Sequence, residues 1–320
     1  MTAAQSGLRS VLITGAAGNI GSALVRALIA RGGYEVTGVD NLSTGSRSKL
    51  PENGGSFRFI KSDVNNYADI SSIFYAGRFD FVFHFAAVVG VKRTLANPLL
   101  VLQDIDGIRN ILSLSKNCHV RRVFYSSSSE VYGEPVSLPQ HEETTPLNSR
   151  LPYAIVKNLG EAYFRSYFFE HELSYTVFRL FNTYGPDQSE DFVVPRFLNA
   201  ALCDAPITIY GDGSQTRTFC YVDDAIATML GCLERELFVN DVLNTGADTE
   251  HRIVDLARLI VSMTGSKSSI EHLPPLAEGD MTRRKPDTTR MKEVLGRPLV
   301  PLEDGIRKLI EHKSRSSWSL

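Results

Sequence analysis

The sequence predicts an α/β fold, a doubly wound parallel sheet joined to a smaller mixed C-terminal lobe, and three observations carry that expectation. Short apolar runs alternate with helical patterns through the first 180 residues, which implies parallel strands joined by helical crossovers. The run Phe79-Asp80-Phe81-Val82-Phe83-His84-Phe85 is almost wholly apolar, as a strand covered on both faces must be. Finally, Val11-Leu12-Ile13 leads into Thr14-Gly15-Ala16-Ala17-Gly18-Asn19-Ile20-Gly21, followed by an amphipathic stretch opening Ser22-Ala23-Leu24-Val25. A strand, a glycine turn and a helix start stand there in order.

Strands are predicted at 10–14, 34–40, 57–61, 79–85, 121–126 and 174–180, with helices at 19–31, 67–76, 95–117 and 151–172 between them. After residue 180 the rhythm loosens, and prolines and glycines cluster at Gly185-Pro186, Pro206, Gly211-Asp212-Gly213 and Pro274-Pro275. The expected division is a Rossmann-type domain over 1–180 and a second lobe over 181–320 that closes over it, with parts such as 219–250 returning to the sheet. Residues 313–320 read as a frayed tail.

The glycine turn points to a dinucleotide. Glycines let backbone N–H groups approach a pyrophosphate, and the helix N-terminus adds partial positive charge. The spacing is G-x-x-G-x-x-G, with Gly15, Gly18 and Gly21 as its members and Asn19 and Ile20 at the helix start. The next strand, 34–40, ends in Asp40. An acid there accepts hydrogen bonds from both hydroxyls of an adenosine ribose and repels the extra phosphate of NADP, so the expected cofactor is NAD.

Composition narrows the partners. The chain has 320 residues, 43% apolar and 22% charged, with a formal net charge of −2. That balance supports neither a nucleic-acid nor a membrane partner, and no apolar run reaches the roughly 18 residues of a membrane span. The N-terminus lacks a secretion pattern, and Cys118, Cys203, Cys220 and Cys232 show no metal-ligand spacing. A cytoplasmic protein without a metal site is expected.

Tyr153-Ala154-Ile155-Val156-Lys157 puts a phenol and an ammonium one turn apart on a single helix face. A phenol ionises near pH 10, so it is a poor base until a neighbouring cation favours its phenolate. Upstream, the apolar Val123-Phe124-Tyr125 runs into Ser126-Ser127-Ser128-Ser129-Glu130-Val131-Tyr132-Gly133. Open parallel sheets place their sites at such strand ends. A serine there can hydrogen-bond the hydroxyl that the tyrosine deprotonates.

Taken together these motifs resemble the extended short-chain dehydrogenase/reductases that modify nucleotide sugars. The resemblance runs nearly end to end: T-G-A-A-G-N-I-G, Asp40, Asp63-Val64, H-F-A-A at 84–87, S-S-E-V-Y-G at 128–133, Y-x-x-x-K, F-N-T-Y-G-P at 181–186, G-D-G-S-Q-T-R-T-F-C-Y-V-D-D at 211–224 and R-K-P-D at 284–287. It implies a transient oxidation in which NAD takes hydride from C4 of a hexose and returns it. It also implies roles: Ser128 orients the hydroxyl, Tyr153 is the base and Lys157 tunes it. Asp63, Val64 and Ala86 fall to the cofactor, and Asn182, Arg217 and Arg284 to the nucleotide diphosphate. His84 is expected to be structural.

Glu130, two residues after Ser128, resembles the acid of the family's decarboxylases and 4,6-dehydratases, which moves a proton at or near C5. Ser129 stands where the dTDP-glucose dehydratases have an acid, so the nearest likeness is to UDP-glucuronate decarboxylases. The alternatives are 4-epimerisation of a UDP-hexose or uronate, 4,6-dehydration and, remotely, an NAD-sensing regulator. Three positions depart from the pattern: Asp187 follows Gly185-Pro186 where the decarboxylases carry arginine, Asp104 replaces an asparagine, and Asn19 replaces an aromatic. The family also implies a homodimer built on helices 95–117 and 151–172, with Ile105, Ile108, Leu112, Leu159, Ala162, Tyr163 and Ser166 at the seam.

Overall fold

The computed structural model describes residues 7–275 and 283–316. In the first half, strands β1 (Arg9–Thr14), β2 (Tyr34–Asp40), β3 (Phe57–Lys61), β4 (Phe81–His84), β5 (Arg122–Ser128) and β6 (Tyr175–Leu180) alternate with helices α1 (Asn19–Arg31), α2 (Tyr67–Gly77), α3 (Val91–Ala96), α4 (Pro98–Leu102), α5 (Asp104–Asn117) and α6 (Pro152–His171). Then follow β7 (Thr183–Tyr184), α7 (Val193–Leu202), β8 (Ile207–Tyr210), β9 (Thr216–Thr218), β10 (Cys220–Tyr221), α8 (Val222–Glu234) and β11 (Asp241–Thr245). The chain continues through β12 (Glu250–Arg252), α9 (Ile253–Thr264), β13 (Ile270–Leu273), α10 (Thr289–Leu295) and α11 (Leu302–Ser316).

Seven strands form one sheet in the order β11-β6-β5-β4-β1-β2-β3, every neighbouring pair parallel. The order reverses between β1 and β4, and such a switch opens a crevice beyond the strands' C-terminal ends. Both faces are covered, and side chains alternate between them. Val11 and Ile13 of β1 face the core shared with α1, α7, α8, α9 and α11, whereas Leu12 faces the core shared with α2, α5 and α6. Phe83, Phe124 and Phe178 stack across three adjacent strands, with ring centres 4.3 and 6.1 Å apart.

The structure revises two expectations. The helix expected over 95–117 is three helices, α3, α4 and α5. Pro98 starts α4 because it has no N–H to give a preceding turn, and Asn97 before it is non-helical, with φ −133° and ψ 60°. The strand expected over 79–85 is confined to 81–84, while β5 runs on to Ser128, which carries the serine run into the sheet. Residues 241–245 return to the sheet edge, Asp241–Thr245 pairing with Thr176–Leu180. These residues lie within the stretch 219–250 expected to return to the sheet. The remaining ladders, β10 with β7, β12 with β9 and β13 with β8, are short and lie in the second lobe.

Candidate active site

A cleft of about 450 Å³ opens where β1 to β6 end, against the segment 182–194 of the second lobe. Its floor is the glycine turn. Gly15 has φ 68°, and a Cβ on it would stand 2.7 Å from the Ala86 nitrogen; one on Gly21 would stand 2.1 Å from the Gly15 carbonyl oxygen. Helix α1 thus starts hard against β1 and the β4 loop. It has no side-chain cap and no acid in its first turn, so its first N–H groups and their partial positive charge are left for an anion.

Asp40 closes the adenosine end. It is buried, and its carboxylate accepts the N–H of Ala17 at 2.9 Å and of Leu42 at 2.8 Å. Each oxygen keeps a second lone pair for a ribose hydroxyl. Asp63 and Val64 line the same end. Asn182 stands opposite in the left-handed region, φ 35°, with its Nδ2 buried and unpartnered. An orphaned donor in a cleft is what an absent acceptor ligand leaves behind. Glycine cradle, bare helix start and ribose acid together fit a dinucleotide.

The chemistry-bearing residues meet at the end of β5. The Ser128 Oγ accepts the Glu130 N–H at 3.2 Å and so caps the short turn Ser129–Tyr132. Helix α6 crosses above. Gly160 allows this, since a Cβ there would lie 2.3 Å from the Tyr125 hydroxyl beneath it. That approach sets Tyr153 and Lys157 over the serine run. Below, Arg179 grips Glu161 through two bonds of 2.9 and 2.7 Å and donates to the Tyr132 hydroxyl at 2.8 Å, while Ser127 donates to Glu161. Strand β5, helix α6 and the Glu130 turn are thereby tied to one buried ion pair.

Lys157 is buried, and its Nζ donates to the Ser126 carbonyl at 2.7 Å. Burial pulls its pKa down to about 8, against a smaller upward pull from Asp104. The Tyr153 phenol is raised above its usual range, first by burial and then by the Glu130 carboxylate, while Ser128 and Arg284 favour the phenolate. The lowering expected from the lysine is not what sets this phenol, which burial raises. Glu130 meets Arg284 at 3.5 Å, so the proton-moving acid and the diphosphate arginine of the sequence reading form a pair.

His84 is structural. Its Nδ1 shares a hydrogen bond of 2.8 Å with Thr14 Oγ1, which also accepts the N–H groups of Phe85 and Ala86. Burial, and then Lys157, lower this imidazole to about 3.

The cleft gathers Gly15, Gly18, Asn19, Ile20, Gly21, Asp40, Asp63, Val64, Ala86, Ser128, Glu130, Tyr153, Lys157, Asn182 and Arg284 of the expected residues. Arg217 is buried in β9 and is not part of the lining. Asp187, which stands where the decarboxylases carry arginine, takes Arg26 at 2.5 Å and the Ser22 hydroxyl at 3.2 Å, so its charge is matched by α1. The sequence reading assigned no role to Arg93 or Asp104, yet both line the cleft. Asp104 left a signal: with Ile108, Ile111 and Leu112 it falls on the buried stripe of α5, an acid where apolar residues belong.

Comparison with known proteins agrees with this geometry. The chain is 34% identical to UDP-glucuronic acid decarboxylase 1 of Danio rerio, over 96% of this chain and 73% of that protein. It is 35% identical to UDP-glucose 4-epimerase of Mycolicibacterium smegmatis, over 94% and 97%. The crystal structure of UDP-glucose 4-epimerase from Thermotoga maritima with UDP-glucose superposes with a TM-score of 0.90 at 33% identity, covering 96% of this chain and 99% of that one. The model of one family matches residues 11–246, which hold the glycine turn, the serine run and the Tyr-Lys pair, and the chain accordingly belongs to the NAD dependent epimerase/dehydratase family.

Proposed function

We propose that this protein is an NAD-dependent enzyme that remodels a nucleotide-diphosphate sugar, a UDP-sugar by preference, through a transient 4-keto intermediate, and that its reaction is decarboxylation of a UDP-uronate. The carrying observation is Glu130: a carboxylate on the turn capped by Ser128, lining the same cleft as Tyr153 and Lys157 and steadied by Arg284. When bound, NAD supplies a reversible hydride acceptor. Tyr153 takes the proton of the C4 hydroxyl, and Ser128 holds that hydroxyl. Lys157 keeps positive charge beside them. With a ketone at C4 the carboxylate on C5 leaves as carbon dioxide, its bonding pair passes into the C4–C5 enolate, and Glu130 delivers the proton that C5 then takes up. Asn182 and Arg284 hold the diphosphate, to which guanidinium is matched in shape. Arg217 is proposed for the same diphosphate on its motif, not on its place in the cleft.

A second reading, 4-epimerisation of a UDP-hexose or uronate, is favoured by Asp187, since no arginine stands at that position to meet a carboxylate. Incubation with UDP-, GDP- and dTDP-sugars, read by mass and NMR, separates the readings: loss of carbon dioxide supports the first, unchanged mass the second, and loss of water a dehydratase. Replacing Tyr153 with Phe should lower kcat by about 10² to 10⁴ while NAD stays bound. Full turnover in that variant overturns the mechanism, and a wild-type protein that binds NAD without turning over any sugar is a regulator.

The protein is further proposed to act in the cytoplasm as a homodimer. Its four cysteines are free, and α4 and α6 present exposed apolar side chains, among them Leu99, Leu102, Ile155, Leu159 and Phe169. Ile108 and Leu112, expected at the seam, are instead buried against the sheet.

A further inference from the structure

Asp104 is a buried carboxylate in the cleft that none of the steps above uses. Its Oδ2 accepts the Val88 N–H at 2.8 Å, which ties the first turn of α5 to the loop after β4. An asparagine could accept that same bond, so the hydrogen bond alone does not call for an acid. What the carboxylate adds is charge, in a site from which water is largely excluded and where charges act strongly.

Charged and titratable groups approach it from several elements. Asp63 lies after β3, Tyr125 on β5, and Tyr153 and Lys157 on α6; each of these is coupled to Asp104 electrostatically. Lys157 is the cation among them. Its Nζ is held by a neutral carbonyl, that of Ser126, and among the described residues no ion pair is made to it. It also lies 5.1 Å from the Tyr125 ring centre. His84 beside it is neutral. Asp104 and Lys157 are both buried and line the same cleft, so the carboxylate's charge bears on the ammonium.

We propose that Asp104 is a positioning residue for Lys157: its carboxylate keeps the lysine charged in the buried site and thereby sets the alkaline limit of the pH range in which the enzyme works. This rests on the roles given above to Tyr153 and Lys157. Burial raises the Asp104 carboxyl to about 6, and Lys157 falls to about 8, so both are ionised between those values. Without the carboxylate the lysine faces burial alone and loses its proton nearer neutrality.

The test is Asp104→Asn, which keeps an acceptor for Val88. The Lys157 titration, followed by 13C NMR of Cε-labelled lysine and assigned by the signal missing in Lys157→Arg, should move down by roughly half a pH unit or more. The alkaline limb of kcat against pH should move with it, so that turnover falls about threefold or more at pH 8.5 and stays within about twofold at pH 6.5. Coupling is reciprocal. Lys157→Met should therefore raise the Asp104 carboxyl midpoint, a measurement that stands even if the asparagine variant fails to fold. Unmoved midpoints in both proteins, or superimposable pH profiles, overturn the proposal. If instead Tyr153→Phe retains turnover, the underlying assignment fails, and the NMR midpoints still report whether the two charges are coupled.

Discussion

Single residues set what the cleft can accept. Asp40 spends one lone pair on each of two backbone N–H groups and offers the rest to a ligand. Asp40→Asn should weaken NAD about tenfold and narrow the preference over NADP, as read by calorimetric titration with each cofactor. His84 makes a different statement, about stability. Its imidazole ionises near 3 in the fold, against an ordinary value of 6.5. From pH 6.5 down towards 3 the unfolded chain therefore binds a proton that the native state refuses, and stability is lost as pH falls. The slope from this group is about 1.4 kcal/mol per pH unit. Urea midpoints measured at pH 7.5, 6 and 5 should fall less steeply in His84→Asn than in the parent.

At the scale of elements, α6 is the piece on which the site depends, and its seat is Gly160 above Tyr125. A methyl at 160 has no room, since the hydroxyl oxygen stands 2.3 Å from where Cβ would be. Gly160→Ala should cost about 1–3 kcal/mol in urea unfolding, and because the helix must lift, it should also lower kcat. Most elements were legible in the sequence because local rules governed them. The glycine turn could only lie between a strand and a helix, and the Tyr-Lys spacing could only be one helical turn. The break at Pro98 was missed because the apolar pattern continues through it, although the missing N–H marks it. Asp104 was legible as an anomaly on an apolar stripe, but its meaning depends on Lys157, fifty-three residues later in the chain and adjacent only after folding. Arg217 was legible as a motif, and its place in β9 follows from pairing with β12, a contact that no local signal encodes.

For the whole molecule, the proposed association is tested at the exposed apolar side chains of α4 and α6. Leu99 is 76% and Phe169 86% exposed in the single chain. Substituting both with Glu should turn the proposed dimer into a monomer in sedimentation velocity, with the fold retained by circular dichroism; an unchanged parent-like sedimentation coefficient would remove this surface from consideration. The sheet's long-range order was only partly legible. Strand β11 is short and follows a loosened stretch of sequence; a return to the sheet is expected somewhere within 219–250, but nothing local says which residues make it or which strand they join. Its partner is chosen by the open edge of β6.

That late return bears on synthesis. A nascent chain emerging from the ribosome has made every strand through β6 well before residues 241–245 appear, and until they do, β6 presents unpaired N–H and C=O groups along one side. An open apolar strand of that kind is an invitation to pair with a neighbouring copy on the same polysome. The segment between β6 and β11, translated in the interval, therefore also sets the length of time for which that edge stays open.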